Sequence, residues 1–165
     1  MAYELIETIE VGAGGAASIE FTSIPQDGVD LLLVVAARNT GNAGTLQYRF
    51  NSDSTAGAYS WIRLKGNGTT ASSASPSSSA YLGFMNRSTH TANTFSSSQL
   101  YISNYSGSEI KNISIEDLFE NNATAAEMEL NALEWDNTSA ITSITISPQQ
   151  FSLAEYSIAS LYKIY

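Results

Sequence analysis

Apolar and polar side chains alternate along most of this chain with a period of two. Ala17-Ser18-Ile19-Glu20-Phe21-Thr22 and Thr45-Leu46-Gln47-Tyr48-Arg49-Phe50 are clear cases. Successive side chains of a strand point to opposite faces, so this alternation marks strands buried on one side. Tyr3 to Val11 reads as the first strand and Ala17 to Ile24 as the second, with the flexible turn Gly12-Ala13-Gly14-Gly15 between them. Pro25 closes the second, because proline cannot donate to a ladder. Leu31 to Ala37 carries no polar face. A central strand with protein packed over both sides is expected there. Leu46, Tyr48 and Phe50 face inward on the next strand. Tyr59 to Lys65, Ala80 to Met85, Thr94 to Asn104, and the runs around Ile113 and Ile144 add further strands.

The later segments are less regular. Glu127 to Trp135 alternates through Met128, Leu130 and Ala132, after which Leu133 and Trp135 fall on the opposite parity. One extra residue near Ala132, a β-bulge, would repair the register. Tyr156 to Tyr165 is apolar to its end and is expected inside a sheet. Helix-favouring composition occurs only over Ile115 to Asn121 and Thr124 to Leu130. Strand ranks above helix for Glu127 to Trp135, and Leu118 to Asn122 stays open. Gly66 to Ser79 has nothing to bury and is expected to be mobile unless a partner orders it. Together these segments predict an all-β chain: one domain over residues 1–165, an antiparallel two-sheet sandwich, jelly-roll-like, of about ten strands. A single closed barrel is the alternative.

Composition narrows the function classes. The chain has 165 residues, enough for one domain with a real core, and 43% of them are hydrophobic. Only 14% are charged, against about 25% in ordinary proteins. Its 25 serines and 14 threonines therefore cover much of the exterior with hydroxyls. The net charge of −9 is concentrated between Glu109 and Asp136, where eight acids meet one base, Lys111. The bases are scattered singly, so no phosphate-binding patch is visible and no nucleic-acid partner is expected. No apolar run reaches the ~20 residues of a spanning helix, so no membrane partner is expected either. Without cysteine there is no disulfide framework and no thiolate zinc site.

Catalytic chemistry is sparse. The single histidine, His90, lies in the polar stretch Asn86 to Thr91, and no Gly-x-Ser-x-Gly elbow accompanies the many serines. Glu127 with Glu129, and Glu134 with Asp136, could in principle form the carboxylate pair of a glycosidase. Acids two apart on the outer face of a strand are ordinarily just solvated. Asn51-Ser52-Asp53-Ser54-Thr55 opens like a calcium loop, but Ala56 and Ile62 stand where an EF-hand needs Gly and Glu. Asx-turn chemistry explains the same residues. Six Asn-x-Ser/Thr triplets follow from composition. No enzyme activity, metal or cofactor is expected.

One resemblance adds to this reading. Tyr48-Arg49-Phe50-Asn51, then Tyr59-Ser60-Trp61 and Leu64-Lys65-Gly66-Asn67-Gly68, resembles a pattern of small β-rich structural proteins of tailed bacteriophages. Asn137 to Ile146 with Tyr156 to Tyr165 looks like its closing hairpin, and Ser23-Ile24-Pro25-Gln26 fits its opening. The resemblance implies a jelly-roll-like virion component. The most specific form is a capsid cement protein on the outer capsid surface, bridging major capsid subunits as a homo-oligomer, with a trimer favoured. The alternative is a carbohydrate- or receptor-binding module of a tail fibre or spike, stacking sugars on Trp61, Trp135 and tyrosines. Exposed coplanar rings favour the second, and rings buried between sheets favour the first. For contacts in an assembly, the N-terminal strand stands out. Tyr3, Leu5, Ile6 and Ile9 put apolar groups on both of its faces, so either a partner covers one side or the strand lies inside a sheet.

Overall fold

The structure, a computed structural model, describes residues 2–165. Its strands in chain order are β1 (Tyr3–Glu10), β2 (Ile19–Phe21), β3 (Asp30–Ala37), β4 (Thr45–Phe50), β5 (Tyr59–Gly66), β6 (Ala71–Ala74), β7 (Ser77–Ser78), β8 (Tyr81–Phe84), β9 (Ser96–Ile102), β10 (Lys111–Glu120), β11 (Ala126–Trp135), β12 (Ile144–Pro148) and β13 (Ile158–Ile164). No helix occurs among the described residues. Nine strands form a large antiparallel sheet in the order β1-β13-β3-β9-β10-β11-β5-β6, with β7 also paired to β5. The other four form a small sheet in the order β2-β12-β4-β8.

The alternation in the sequence fixes which side chains meet between the sheets. Ile19, Phe21, Leu46, Tyr48, Phe50, Ile144 and Ile146 come from the small sheet. Leu31, Leu33, Leu100, Ile102, Ile113, Ile115, Leu133, Trp135 and Leu161 come from the large one. All of them are buried in one continuous core. Burying each such side chain stabilises the fold by roughly 1.5–3 kcal/mol before entropy is counted. Aromatic rings form its centre. Phe50 and Trp135 lie 5.5 Å apart, Trp61 meets Tyr81 edge-on at 5.4 Å, and Tyr48 is 5.7 Å from Tyr81. Offset and edge-on pairs of this kind add to the area term.

Several expectations change. Two strands were not foreseen: β6 and β7 arise inside the serine-rich stretch expected to be mobile and pair with β5. Ladder bonds need only backbone, and β5 offers a long edge to a segment with no side chains to bury. The expected bulge near Ala132 is absent, since β10 and β11 pair without interruption from Lys111↔Trp135 to Glu120↔Ala126. A bulge occurs instead in β1, between Leu5 and Glu7. The ambiguous segment Ile115 to Leu130 is two strands and a tight turn, in which Asn121 Oδ1 accepts from the N–H groups of Ala123 and Ala125. The apolar strand β3 is central, between β13 and β9, but only one of its sides is covered. Leu31, Leu33 and Val35 are buried, whereas Val34 on the other side is exposed. The chain's last strand, β13, is paired on both edges.

Candidate functional site

The corner of the large sheet built by β10, β11 and β5 has its polarity reversed. Odd-numbered residues of these strands face the small sheet, and even-numbered residues face outward. On β11 this turns Glu129 and Asn131 inward together with Leu133 and Trp135, and turns Met128, Leu130 and Ala132 outward. The parity set by Leu133 and Trp135 continues unbroken toward the N-terminus. Met128 and Leu130 are therefore not core residues, which corrects the alternation inferred from sequence.

Outside, the apolar side chains are contiguous. Leu118 stands opposite Met128, Leu130 opposite Leu64, and Ala132 opposite Ile62. Leu118, Met128, Leu130, Leu64 and Ile62 are each between 47% and 63% exposed. Two shallow grooves flank them. One, of about 420 Å³, is lined by Ser97, Gln99, Glu116 and the three apolar groups of β10 and β11, together with Asp117 and Glu129 of the same strands. The other, of about 600 Å³, is lined by Ile62, Tyr101, Asn112, Ser114 and Glu134 among others. Glu116, Glu120 and Glu134 stand at outward positions here. The bases of the large sheet, Arg63, Lys65, Lys111 and Lys163, all occupy the inward parity of their strands.

Inside, the same corner holds charge. Ser98, Asp117, Glu129 and Lys65 form one cross-strand row, and Ile115, Asn131 and Arg63 form the next. Tyr81 Oη donates to Asp117 Oδ2 from the small sheet. Arg63 approaches Glu129 at 3.5 Å, and Lys65 pairs with Glu127 at 2.7 Å. Lys65 also sits over the Phe84 ring, 4.9 Å from its centre. Asp117, Glu129, Asn131 and Ser98 are all buried. Both Glu129 oxygens and both amide atoms of Asn131 have no hydrogen-bond partner, while Ser98 stands beside Asp117 and Tyr48. Gly83 of β8 covers this spot. A β-carbon there would stand 3.1 Å from Asp117 Oδ1, so glycine leaves the carboxylate its room. Burial pushes the Asp117 carboxyl upward, and burial pushes Glu129 up to about 7 despite Arg63. Burial likewise raises the hydroxyls of Tyr48 and Tyr81, so both stay neutral donors.

The residues singled out from sequence are dispersed. Tyr3 and Leu5 are exposed on the edge strand β1, while Ile6 and Ile9 are half-buried against the core. His90 accepts the Arg87 N–H at 3.4 Å and stacks on Phe119 at 5.3 Å. Burial, then Arg87 and Arg38, lower its affinity for a proton. Asp53 serves an Asx turn to Thr55 and accepts the indole N–H of Trp135 at 2.9 Å. Glu134 and Asp136 are solvated, and Trp61 and Trp135 are buried. Among the described residues no group of three or more His, Cys, Asp or Glu could hold a metal ion. Asp117, Asn131, Arg63 and the outward leucines were missed from sequence. The usable signal was the parity of Leu133 and Trp135, carried back along the strand. No protein-family model and no curated protein matches the chain.

Proposed function

We propose that the chain is a non-enzymatic assembly subunit that docks another protein on the outer face of its large sheet. The observation that carries this reading is the contiguous outward set Ile62, Leu64, Leu118, Met128 and Leu130. Large apolar side chains gathered on one face of a soluble domain mark a surface built to be covered. The sequence resemblance makes the reading specific: a cement protein on the outer surface of a tailed-phage capsid, bridging major capsid subunits. The path of the chain supports it. β1, β3, β5 and β13 belong to the large sheet and β2, β4 and β12 to the small one, so the chain passes back and forth as rolled sandwiches do.

Charge distinguishes the partners. Two copies meeting through this face would set Glu116, Glu120 and Glu134 against the same acids. The face therefore suits the capsid subunit, and the implied homotrimer would use other surfaces, such as the β1 edge with Tyr3 and Leu5. Many copies on one shell add stability with modest affinity at each contact. The carbohydrate-binding alternative loses its two strongest rings, because Trp61 and Trp135 lie between the sheets. The carboxylates Asp117 and Glu129 lie under the small sheet and offer no open cleft to a substrate.

The test is to add the purified chain to bare capsids of its parent phage. The wild type is expected to cosediment and to raise the temperature of DNA release. Leu64→Ser combined with Leu130→Ser is expected to abolish both effects while remaining folded. A native particle whose electron-microscopy density lacks this chain on its shell sinks the reading.

A further inference from the structure

The charges at this corner between the sheets do not balance. Asp117, Glu127 and Glu129 face Arg63 and Lys65, which leaves one carboxylate without a matching cation. Lys65 is taken by Glu127 at 2.7 Å, and Arg63 comes only to 3.5 Å from Glu129. Asp117 receives the Tyr81 hydroxyl, and its other neighbours, Tyr48 and Ser98, are uncharged, so no cation pairs with it directly. Asp117 and Glu129 stand directly opposite each other in the β10–β11 ladder. Residues so paired have β-carbons about 4.5–5.5 Å apart, and both side chains project to the same face. Two desolvated carboxylates at that separation do not both ionise cheaply. The donor set does not suit a metal, having two acids and an adjacent guanidinium. A proton fits.

We propose that Asp117 and Glu129 share one proton at neutral pH, and that this proton is a latch holding the β10–β11 hairpin against the small sheet. Leu118, Met128 and Leu130 project from the opposite side of the same two strands. Loss of the proton puts a second charge under β8 and draws water between the sheets. That loosens the strands which present the apolar face. Only this consequence for docking rests on the assembly reading; the latch itself does not.

The sign follows from burial. A carboxyl that holds its proton more tightly folded than unfolded contributes stability at low pH and loses it as the pH rises. For Glu129 the window runs from its ordinary 4.5 to about 7. His90, whose protonated form is disfavoured in the fold, gives the opposite slope nearby. A Glu129→Gln variant leaves that slope in place, so comparison with it isolates the pair.

The experiment is thermal unfolding of the full chain from about pH 5 to about pH 8, for wild type, Glu129→Gln and Asp117→Asn, in EDTA and in calcium chloride. The wild-type Tm is expected to fall by ~5 °C across the range. Glu129→Gln is expected to melt hotter than wild type at the upper end and to lose the fall. Infrared difference spectra are expected to contain a protonated-carboxyl band in wild type that titrates away and is missing from Glu129→Gln. Should that variant not fold, Asp117→Asn serves the same comparison. A wild-type Tm that stays flat or rises overturns the latch, as does a fall that persists in Glu129→Gln. So does calcium restoring the Tm at high pH, since a cation would then be the neutralising group. Failed capsid binding beside an intact titration would count against the assembly reading alone.

Discussion

Asp53 illustrates how much one side chain organises in this fold. Its carboxylate accepts the Thr55 N–H at 3.0 Å, the Trp135 indole N–H at 2.9 Å and the Asn137 amide at 3.4 Å. The Thr55 backbone bond and then Trp135 hold it down at about 2. Stability from this group is complete above the ordinary carboxylate value of 3.8 and is lost as the pH falls toward about 2. Asp53→Asn is therefore expected to cost about 1 kcal/mol at neutral pH after allowance for solvent screening. It should also blunt acid unfolding in that window, measured by urea midpoints as the pH is lowered. Asp53 reads as a calcium-loop candidate from sequence, and its actual work is to pin the indole of Trp135 in the core. Glu129 is the opposite case. It reads as a solvated strand acid and lies beneath the small sheet, where ionisation costs the fold stability.

The β10–β11 hairpin is the element on which inside and outside are exchanged. Its register is continuous over ten pairs, from Lys111↔Trp135 to Glu120↔Ala126, so no bulge rescues the polarity. A one-residue slip would bury Met128 and Leu130 but would expel Leu133 and Trp135. The ring of Trp135 packs on Phe50 and Tyr59, which decides the matter in its favour. The two faces should answer mutation differently. Leu133→Ala is expected to cost about 2–5 kcal/mol, as for any buried leucine truncated in a close-packed core. Leu64→Ser, on the outward face, is expected to change stability by no more than about 0.5 kcal/mol. Urea unfolding of the two variants compares them directly. The β1 strand solves a different problem. It is an edge, and its bulge and the acids Glu4, Glu7 and Glu10 discourage a stray strand from adding to it.

At the scale of the molecule, a nine-stranded sheet is covered on one side only, by four strands. The uncovered side carries Leu5, Val34, Leu118, Met128, Leu130, Leu64 and Ile62, all exposed. Glutamates share that side, and the strand bases do not. Repulsion among like charges keeps such a face from closing on a second copy, and salt weakens that repulsion. At about 1 M salt the Debye length is about 3 Å, and exposed charges scarcely sense one another. The isolated chain is expected to self-associate there through this face, and the Leu64→Ser, Leu130→Ser double variant to stay dispersed. Sedimentation velocity at low and high salt distinguishes them. Equal behaviour of both proteins would mean that the apolar set does not act as a contact surface.

The sequence alone determined the strand class, the approximate position of nearly every strand and the inward row of Leu46-Tyr48-Phe50. Those follow from period-two alternation, a local property of the chain. It also carried the scarcity of catalytic groups. Tertiary structure decided which parity of β11 faces the core. Alternation gives two faces without saying which is inward, and only Phe50 and Tyr59, arriving from other strands, select that of Trp135. It decided that β3 is covered on one side, because the described residues form only one other sheet to lay against the large one. The β6 and β7 pairings came from backbone alone, which leaves no mark in side-chain pattern. The charged interior behind an apolar exterior belongs to the same class: it exists only where the β10–β11 hairpin and β5, distant from it in sequence, bring their odd-numbered residues together.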